Sequence, residues 1–451
     1  MTTNTGKAAT SSSPTPTGMK PTGMKTFVII WLGQVVSLVG TAMGQFALTI
    51  WVWQETGQAT SLALMGFFTF APMVILSPLA GALVDRLDRK LVMMLSDLGA
   101  GVASIGIVLL LSTDALALWH LYALAVWTSA FAAFQFPAYS AAISSMVSKT
   151  QYARASGMLS IAEFGSGIAA PVLAGGLLAV VGIRGVLLVD IVTFVIALLT
   201  LVVVHVPNPL PNEHKPLSFR QDVTFGFTYI FKHKPLFAVQ LVFFAVNLLS
   251  SFSFFMVPAL VLARTSSNEL VLASVQFAMG LGGLTGGLLL TWWGGPKTKI
   301  HGVLTSMAIY AVFGSVLMGI SRQPSLWMVA GFAIMATISV MNGSNQALWQ
   351  SKVPLHLQGR VFAARRLIAQ LSGPPAIVAA GLLADNVFEP VMQSGGTLAD
   401  QLSWLVGVGP GAGIALMCVI AGVLQFIIIM IAYTTPRITQ VETLLPDHDA
   451  I

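Results

Sequence analysis

Long apolar runs follow one another along most of the chain, separated by short polar segments. A helix of about 20 apolar residues crosses the hydrocarbon core of a bilayer, and each run reaches about that length. The runs are continuous and lack the alternation that a lipid-facing β-strand needs. The pattern therefore predicts an all-α integral membrane protein with twelve spans, at 27–52, 61–84, 91–112, 117–140, 157–180, 185–205, 236–262, 270–292, 301–320, 325–348, 361–385 and 410–433.

The positions of the basic residues support this map and orient it. Cytoplasmic loops of membrane proteins carry an excess of Lys and Arg. Of the 22 Lys and Arg residues, only Arg184, Arg264 and Arg322 fall on the side opposite the two termini. A miscounted span would scramble this alternation. We therefore expect both termini to be cytoplasmic, and we expect a cytoplasmic (inner) membrane, with which the absence of an organelle-type presequence is compatible.

Polar interruptions divide the chain into five parts. Residues 1–24 are rich in Thr, Ser, Pro and Gly, and we expect a disordered tail because they cannot bury enough apolar surface to fold. The longest internal interruption, 206–235, begins with three closely spaced prolines, Pro207, Pro209 and Pro211, which break the sixth helix. Apolar residues at helical spacing follow, which predicts a linker with an amphipathic helix at the membrane surface. This linker separates two six-helix halves, 25–205 and 236–435, and a tail at 436–451 follows.

The two halves repeat each other weakly. The segment AGGLLA at 174–179 returns as AAGLLA at 379–384, 205 positions later. Two parallel halves with a substrate site between them are a known transporter plan that produces such a repeat. The polar segment 386–409 is expected to be a loop on the outer side.

Composition excludes several function classes. The chain is 56% hydrophobic and 8% charged, whereas a soluble domain is about 25% charged, so a water-soluble enzyme is excluded. The net charge of +6 lies in the loops and does not indicate a nucleic-acid partner. The single cysteine, Cys418, excludes an internal disulfide and a cysteine metal cluster, and neither a P-loop nor an HExxH motif is present. We therefore expect no enzyme activity, no cofactor and no metal site.

The segment GALVDRLDRK, between the second and third spans, resembles the loop motif G-x-L-x-D-R-x-G-R-K of the major facilitator superfamily. The resemblance implies a latch that joins the two halves on the cytoplasmic side and yields during transport, with a partner near the start of the eleventh span. Asp88 stands where the family usually has Gly, so the turn is expected to differ. The alternative is a solvated basic loop. The motif positions are Gly81, Asp85, Arg86, Arg89 and Lys90.

The fifth span contains small residues that are similar to the G-P-x-x-G-G signature of superfamily antiporters. Ala170 and Ala174 replace two of the expected glycines. The resemblance favours export over import, and the alternative is ordinary close packing of helices through small residues. The matching positions are Gly167, Pro171, Gly175 and Gly176.

The order of motifs from Phe27 to Thr435 is similar to the macrolide-efflux branch of the same superfamily. The segments that carry this resemblance are IWLGQVVSL (30–38), GALVDRLDRKLVM (81–93), LVDIVTFVIA (188–197) and LQGRVFAARR (357–366). The resemblance implies twelve helices in two pseudo-symmetric halves and an activity in drug export. It does not define a substrate.

Three acidic residues lie several residues inside predicted spans, where a charge is costly and needs a partner, water or a proton. Glu163, near mid-membrane, is the preferred site for coupling to protons, because desolvation favours the neutral form of a carboxyl group. The alternative is a Glu that only fixes helix packing. Asp97 and Asp190 are further proton-coupling candidates for which a structural role is favoured, and Arg184 lies too far around the helix from Asp190 to assure a direct pair.

Amide side chains mark the expected cavity. In the family fold the first, fourth, seventh and tenth spans line it, and amides are unfavourable against lipid. No basic residue falls at mid-membrane, so we expect the cavity to suit a lipophilic solute, neutral or cationic, rather than an anion. The cavity candidates are Gln34, Gln45, Gln135, Asn247, Asn342 and Asn345.

These observations predict a secondary transporter that exports small lipophilic, drug-like compounds by proton-coupled alternating access. Its expected partners are the lipid bilayer, the substrate and protons, and it is expected to be a monomer. The alternatives are an exporter of siderophores or metabolites, a lipid translocator, and a non-transporting sensor with the same fold.

Overall fold

A computed structural model describes residues 23–84, 87–148, 151–204, 206 and 219–447. The secondary structure of this part is helical throughout. The α-helices are α1 (Met24–Thr56), α2 (Ala59–Val84), α3 (Arg89–Ser112), α4 (Leu118–Met146), α5 (Tyr152–Val203), α6 (Phe219–Lys232), α7 (Lys234–Phe254), α8 (Val257–Arg264), α9 (Glu269–Trp293), α10 (Lys299–Ile309), α11 (Leu317–Ile320), α12 (Pro324–Lys352), α13 (Leu355–Leu371), α14 (Gly373–Leu383), α15 (Glu389–Met392), α16 (Ala399–Val406), α17 (Ala412–Thr434), α18 (Pro436–Thr439) and α19 (Val441–Leu444). Two π-helical turns, Tyr310–Val316 and Ala384–Phe388, continue α10 into α11 and α14 into α15.

Eleven helical segments of the described chain are long and apolar enough to cross a membrane, and one of them is long enough to cross twice. The segment Arg154–Val203 has 50 residues, about 75 Å of helix, more than twice the 30 Å of a bilayer core. The chain reverses at Gly182, which has φ 65° and ψ −176°. The predicted fifth and sixth spans meet at this glycine, so the twelve-span prediction is confirmed.

Both arms of α5 contact α1 at the same level, as a reversal requires. The indole Nε1 of Trp31 donates to the carbonyl of Met158 at 2.9 Å, early in the fifth span. Two residues away, a Cβ at Gly33 would lie 2.3 Å from Oγ1 of Thr200, near the end of the sixth span. We call the end of the bundle that holds Met24 and Thr434 the termini side, and the opposite end the far side.

Residues that terminate helices define the short loops. Gly57 ends α1 in the left-handed conformation, with φ 60°, and its N–H donates to the carbonyl of Trp53. Asn268 begins α9 by accepting hydrogen bonds from the N–H groups of Leu270 and Val271 at 3.1 Å. Such caps satisfy backbone groups that a helix end leaves unpaired, which matters near a membrane where water is scarce.

Two pairs of spans make the most extensive contacts between the two halves. In the first pair, the fifth span meets the eighth: a Cβ at Gly175 would lie 3.1 Å from Cβ of Ala273. In the second pair, the eleventh span meets the second: a Cβ at Gly381 would lie 2.5 Å from Cβ of Ala63. Gly175 and Gly381 belong to the repeated segments at 174–179 and 379–384. The repeated segment therefore lies at the contact between the halves in both cases, although at an offset of 205 Gly381 corresponds to Gly176 and not to Gly175.

Three apolar cores show where the halves join. One core, on the far side, includes residues from both halves, among them Trp53 and Leu260. The other two lie towards the termini side, and the first half and the second half each contribute their own. Within the described part of the chain, the two halves therefore share one apolar core on the far side. On the termini side, each half has an apolar core of its own.

Two short elements cover the second half on the termini side. Helix α6 lies in the predicted linker, buries Ile230 in the second-half core and approaches α13 closely at Gly226. Near the C-terminus, Glu442 accepts hydrogen bonds from the N–H groups of Lys299 and Ile300, at 3.1 and 3.2 Å. The N-terminal tail predicted at 1–24 lies almost wholly outside the described residues, and the domain limits stay a prediction.

The outer segment predicted as a loop, 386–409, is largely helical, so that prediction is wrong in detail. Helix continues to Met392, and α16 follows at Ala399–Val406. Glu389 explains part of the order, because its carboxylate accepts hydrogen bonds from the N–H groups of Gly411 and Ile414 at the start of the twelfth span. A polar stretch can therefore remain helical where its side chains cap a neighbouring helix.

Candidate functional site

The first half encloses a cavity of about 570 Å³. All six spans of this half contribute to its wall, which mixes apolar and polar side chains. The structure places six of the predicted site residues on this wall, namely Gln34, Gln45, Asp97, Gln135, Glu163 and Asp190. The amides Gln34, Gln45 and Gln135 thus line this cavity, and the roles of all six residues in transport stay a prediction.

Asp97 lies at the centre of a hydrogen-bonded group that joins three spans. Nε2 of Gln34 donates to one carboxylate oxygen at 2.9 Å, and Nε2 of Gln135 donates to the other at 2.5 Å. The two amides also meet each other at 3.2 Å. Asp97 is only 4% exposed. The hydroxyl of Tyr139, on the same cavity wall, is buried and has no hydrogen-bond partner among the described residues.

Asp190 is the second buried carboxylate of this cavity. It accepts hydrogen bonds from the hydroxyls of Thr41, at 3.1 Å, and Ser104, at 2.6 Å, and so joins the first, third and sixth spans. Arg184 instead binds Asp114 at 3.2 Å and the carbonyl of Leu111 on the far side. The expectation that a direct pair between Arg184 and Asp190 is not assured agrees with this geometry.

Glu163 lies on the cavity wall, but its side chain is exposed. The sequence places it near mid-membrane and suggests a desolvated carboxyl group. The structure corrects that expectation, because the cavity opens beside this residue and gives it access to water. Burial depends on which face of the fifth span meets the cavity, and the sequence does not specify that face.

The second half encloses a cavity of about 550 Å³, lined by its first, third, fourth and fifth spans. The remaining cavity candidates, Asn247, Asn342 and Asn345, lie on its wall. Gln240, also on this wall, stands 206 positions after Gln34 of the first-half cavity. The two cavities therefore occupy equivalent places in the two halves.

Arg365 also lies on the wall of the second-half cavity, where the sequence pattern did not predict a basic residue. It lines the second-half cavity together with Arg366, and its Nη2 donates to Oε1 of Gln346 at 2.6 Å. The expectation of a cavity that does not suit an anion rested on the absence of a basic residue at mid-membrane. It needs correction, because the long Arg side chain of a residue near the start of the span reaches the cavity wall.

The loop motif is described in part. Asp85 and Arg86 lie outside the described residues, and Gly81 lies in the last turn of α2. Nη1 of Arg89 donates to the carbonyl of Ala141 at 2.7 Å. Nζ of Lys90 donates to the carbonyls of Val202 and Val204 at 3.0 and 2.7 Å. These hydrogen bonds tie the motif to the fourth and sixth spans of its own half, and the latch role stays a proposal.

The small residues of the fifth span lie at the contact between the halves. A Cβ at Gly280 would lie 3.1 Å from the carbonyl carbon of Gly167 and 3.0 Å from the backbone nitrogen of Ile168. Pro171 is buried within the helix, whereas a Cβ at Gly176 would meet nothing within 4 Å. Gly175 and Gly280 therefore allow the close approach of the fifth and eighth spans, whereas a Cβ at Gly167, as at Gly176, would meet nothing within 4 Å.

Asp385 joins the two halves on the far side. Its carboxylate accepts hydrogen bonds from the N–H groups of Ala59 and Thr60, at 3.0 and 2.7 Å, where α2 begins. A carboxylate at the start of a helix satisfies unpaired N–H groups and interacts favourably with the helix dipole. Here the helix belongs to the first half and the carboxylate to the second, so the cap holds the far side closed.

We expect Asp385→Ala to favour opening of the far side. Loss of a helix cap costs about 1 kcal/mol, which corresponds to a change of about fivefold in the ratio of closed to open molecules. Spin labels on the exposed residues Gln58 and Asn386 measure the opening by pulsed electron paramagnetic resonance. Cys418 is buried and does not interfere with labelling. An unchanged distance distribution would show that the cap does not hold the halves together.

The described residues include no group of three His, Cys, Asp or Glu side chains that could hold a metal ion. The candidate site is therefore the pair of cavities, one in each helical half.

A sequence model of the major facilitator superfamily matches residues 30–377. The chain belongs to this superfamily.

Relatives within the superfamily are bacterial. Macrolide efflux protein A of Streptococcus pyogenes is 28% identical over 371 residues, which cover 80% of this chain and 90% of that protein. The protein of the same name in Enterococcus faecalis is 28% identical over 331 residues, with coverages of 70% and 97%. YfiS of Bacillus subtilis, an uncharacterized transporter of the superfamily, is 25% identical over 386 residues, with coverages of 80% and 87%. The chain therefore belongs among multi-pass membrane transporters and is similar to macrolide efflux proteins.

Solved structures share the fold at much lower identity. A mutant form of the nucleoside transporter NupG superposes with a TM-score of 0.66 at 12% identity, covering 90% of this chain and 99% of its own. A bacterial homologue of the lysosomal transporter Spinster, in an inward-facing conformation, gives 0.62 at 14% identity, with coverages of 92% and 96%. Superfamily transporters of different substrates thus share this architecture, and the fold does not choose among substrates.

Proposed function

We propose that this protein exports small lipophilic compounds across a bacterial cytoplasmic membrane, as a monomer with both termini in the cytoplasm. The observation that carries the proposal is the pair of equivalent cavities whose walls combine apolar side chains with inward-facing amides. Such walls bind lipophilic molecules through burial of apolar surface and orient them with a few polar groups. The macrolide efflux relatives add support for drug-like substrates.

Alternating access fits the way the halves are joined. The far side is closed by the shared core, by the glycine contacts and by Asp385. On the termini side each half has a core of its own, so the halves can separate there without exposing a common core. We infer that transport alternates between this arrangement and one in which the far side opens and the loop motif at Gly81–Lys90 latches the termini side.

Proton coupling is assigned to Asp97. Its carboxylate is buried and held by two amides, so a change in its protonation must rearrange hydrogen bonds between three spans. Asp190 is assigned a packing role, since hydroxyl groups satisfy both of its oxygens. Glu163, exposed on the cavity wall, is assigned to the binding of cationic groups on the substrate.

The test uses inverted vesicles that contain a pH-sensitive dye and are energised by respiration. We expect lipophilic drugs to evoke proton movement in vesicles with the wild-type chain and none in vesicles without it. We expect Glu163→Gln to keep proton movement with neutral compounds and to weaken it selectively with cationic ones, because only the latter lose an opposite charge.

Two results would contradict these assignments. If Glu163→Gln reduced the proton movement evoked by neutral and by cationic compounds equally, Glu163 would be the proton carrier. Absence of movement with any compound in the wild type would reject proton-coupled drug export and favour a narrow metabolite or siderophore substrate, lipid translocation, or a sensor role.

A further inference from the structure

The second-half cavity contains a positive charge that no described carboxylate balances. The guanidinium of Arg365 lines the cavity, and neither ion pair of the described chain includes it. Nη2 donates to Gln346, while Nη1 is buried and has no hydrogen-bond acceptor within reach among the described residues. A guanidinium carries five N–H donors, so much of its hydrogen-bonding capacity is unused.

The surroundings of Arg365 hold the guanidinium in place without neutralising it. Its Cζ lies 5.4 Å from the ring centre of Trp349 and 5.1 Å from that of Phe362. Aromatic faces attract a cation but leave its N–H edge free to donate. Nε2 of Gln240 also donates to the backbone carbonyl of Arg365 at 3.1 Å, which fixes the helix at this position.

The chemistry of the Arg365 guanidinium indicates which group would pair with it. A charge inside a membrane protein is costly unless it is paired, and an unpaired one is by default a functional group. The planar fork of Arg matches the two oxygens of a carboxylate, to which it donates two parallel hydrogen bonds. A carboxylate from the ligand would supply both the charge and the acceptors that the described chain leaves out.

The rest of the cavity suits a lipophilic body beside that carboxylate. Phe243 and Met341 provide apolar surface, and Asn342 is exposed on the wall. Oδ1 of Asn345 is buried without a hydrogen-bond partner in the described chain, so it would accept from an N–H or O–H group of the same ligand. We propose that the second-half cavity binds lipophilic carboxylic acids through Arg365, a substrate class that rests on the proposed export function.

The competing role for Arg365 is a latch on the termini side, as the loop motif implies for the start of the eleventh span. A latch affects every substrate equally, because it acts on the equilibrium between conformations. A binding group affects only substrates that carry the matching charge. The ratio of affinities for an acid and its neutral amide therefore separates the two roles.

The experiment measures binding of a quinolone carboxylic acid and of its carboxamide to the purified full-length chain by calorimetry. We expect the wild type to bind the acid at least about tenfold more tightly than the amide. We expect Arg365→Gln to reduce this ratio to about one, and Arg365→Lys to retain part of it, since Lys keeps the charge but not the fork. The matched control is Arg360→Gln, which removes a guanidinium from the same helix outside the cavity wall and keeps the wild-type ratio.

Export of an uncharged lipophilic dye tests the proposed function separately. Export by the wild type shows that the export proposal holds, and a wild-type thermal melting curve by circular dichroism shows that Arg365→Gln is folded. In that case, two results would overturn the carboxylate site and leave the export proposal intact. One is equal affinity of the wild type for the acid and the amide, and the other is an equal loss of affinity for both in Arg365→Gln. If the wild type exports neither the dye nor the acid, the proposed function fails, and the carboxylate site fails with it as a transport site.

Discussion

Asp97→Asn is expected to abolish the coupling of export to protons while leaving the chain folded. A proton that crosses 100 mV releases about 2.3 kcal/mol, enough to support a concentration gradient of roughly 50-fold for a neutral compound. Without an ionisable side chain at position 97, between Gln34 and Gln135, protons no longer drive export. The ratio of the compound's concentrations on the two sides of the membrane then falls to about one. The measurement is the steady-state accumulation of a fluorescent neutral compound in energised inverted vesicles.

The substitution is mild because Asn has nearly the volume of Asp and can keep one of the two amide hydrogen bonds. If one of the amides, Gln34 or Gln135, turns its oxygen towards the new NH₂ group, both contacts are retained. The matched control is Asp190→Asn, another buried carboxylate of the same cavity. Its partners Thr41 and Ser104 carry hydroxyls that can donate or accept, so this variant is expected to keep the gradient. A full gradient in Asp97→Asn would reject Asp97 as the proton carrier.

Gly381→Leu is expected to stop transport by preventing closure of the far side. A Cβ at this position would lie 2.5 Å from Cβ of Ala63 and 2.8 Å from the backbone Cα of Thr60, both in the other half. Backbone atoms cannot rotate away, so the halves must separate. Overpacking typically costs about 1–3 kcal/mol, which shifts the ratio of closed to open molecules between about fivefold and 150-fold.

Two measurements check this prediction, the rate of dye export and the distance between labels on Gln58 and Asn386. The control is Gly287→Leu, because a Cβ there meets nothing within 4 Å. We expect wild-type export from the control, and loss of export with a longer label distance from Gly381→Leu. Normal export by Gly381→Leu would show that the contact between the eleventh and second spans can loosen without cost, and that another contact closes the far side.

The sequence predicted much of the architecture because the dominant force acts along the chain. Burial of backbone in lipid requires helices of a given length, so continuous apolar runs indicate the spans directly. The break at Gly182 separates the fifth and sixth spans within the predicted turn at 181–184. Amides such as Gln34 and Gln135 could be assigned to the interior because lipid does not satisfy their hydrogen bonds.

The tertiary structure decided what each polar group meets, because a partner in space is set by helix packing and not by distance along the chain. It paired Asp97 with two amides, placed Glu163 on an open wall and directed Arg365 into a cavity. It also brought Asp385 to a helix start 325 positions away. The sequence by itself determined that this chain is a twelve-span membrane protein of two related halves. The packing of those halves decided which acids are buried, that Arg365 meets no carboxylate among the described residues, and where the molecule is closed. Rotation of a helix by half a turn exchanges a lipid-facing residue for a cavity residue.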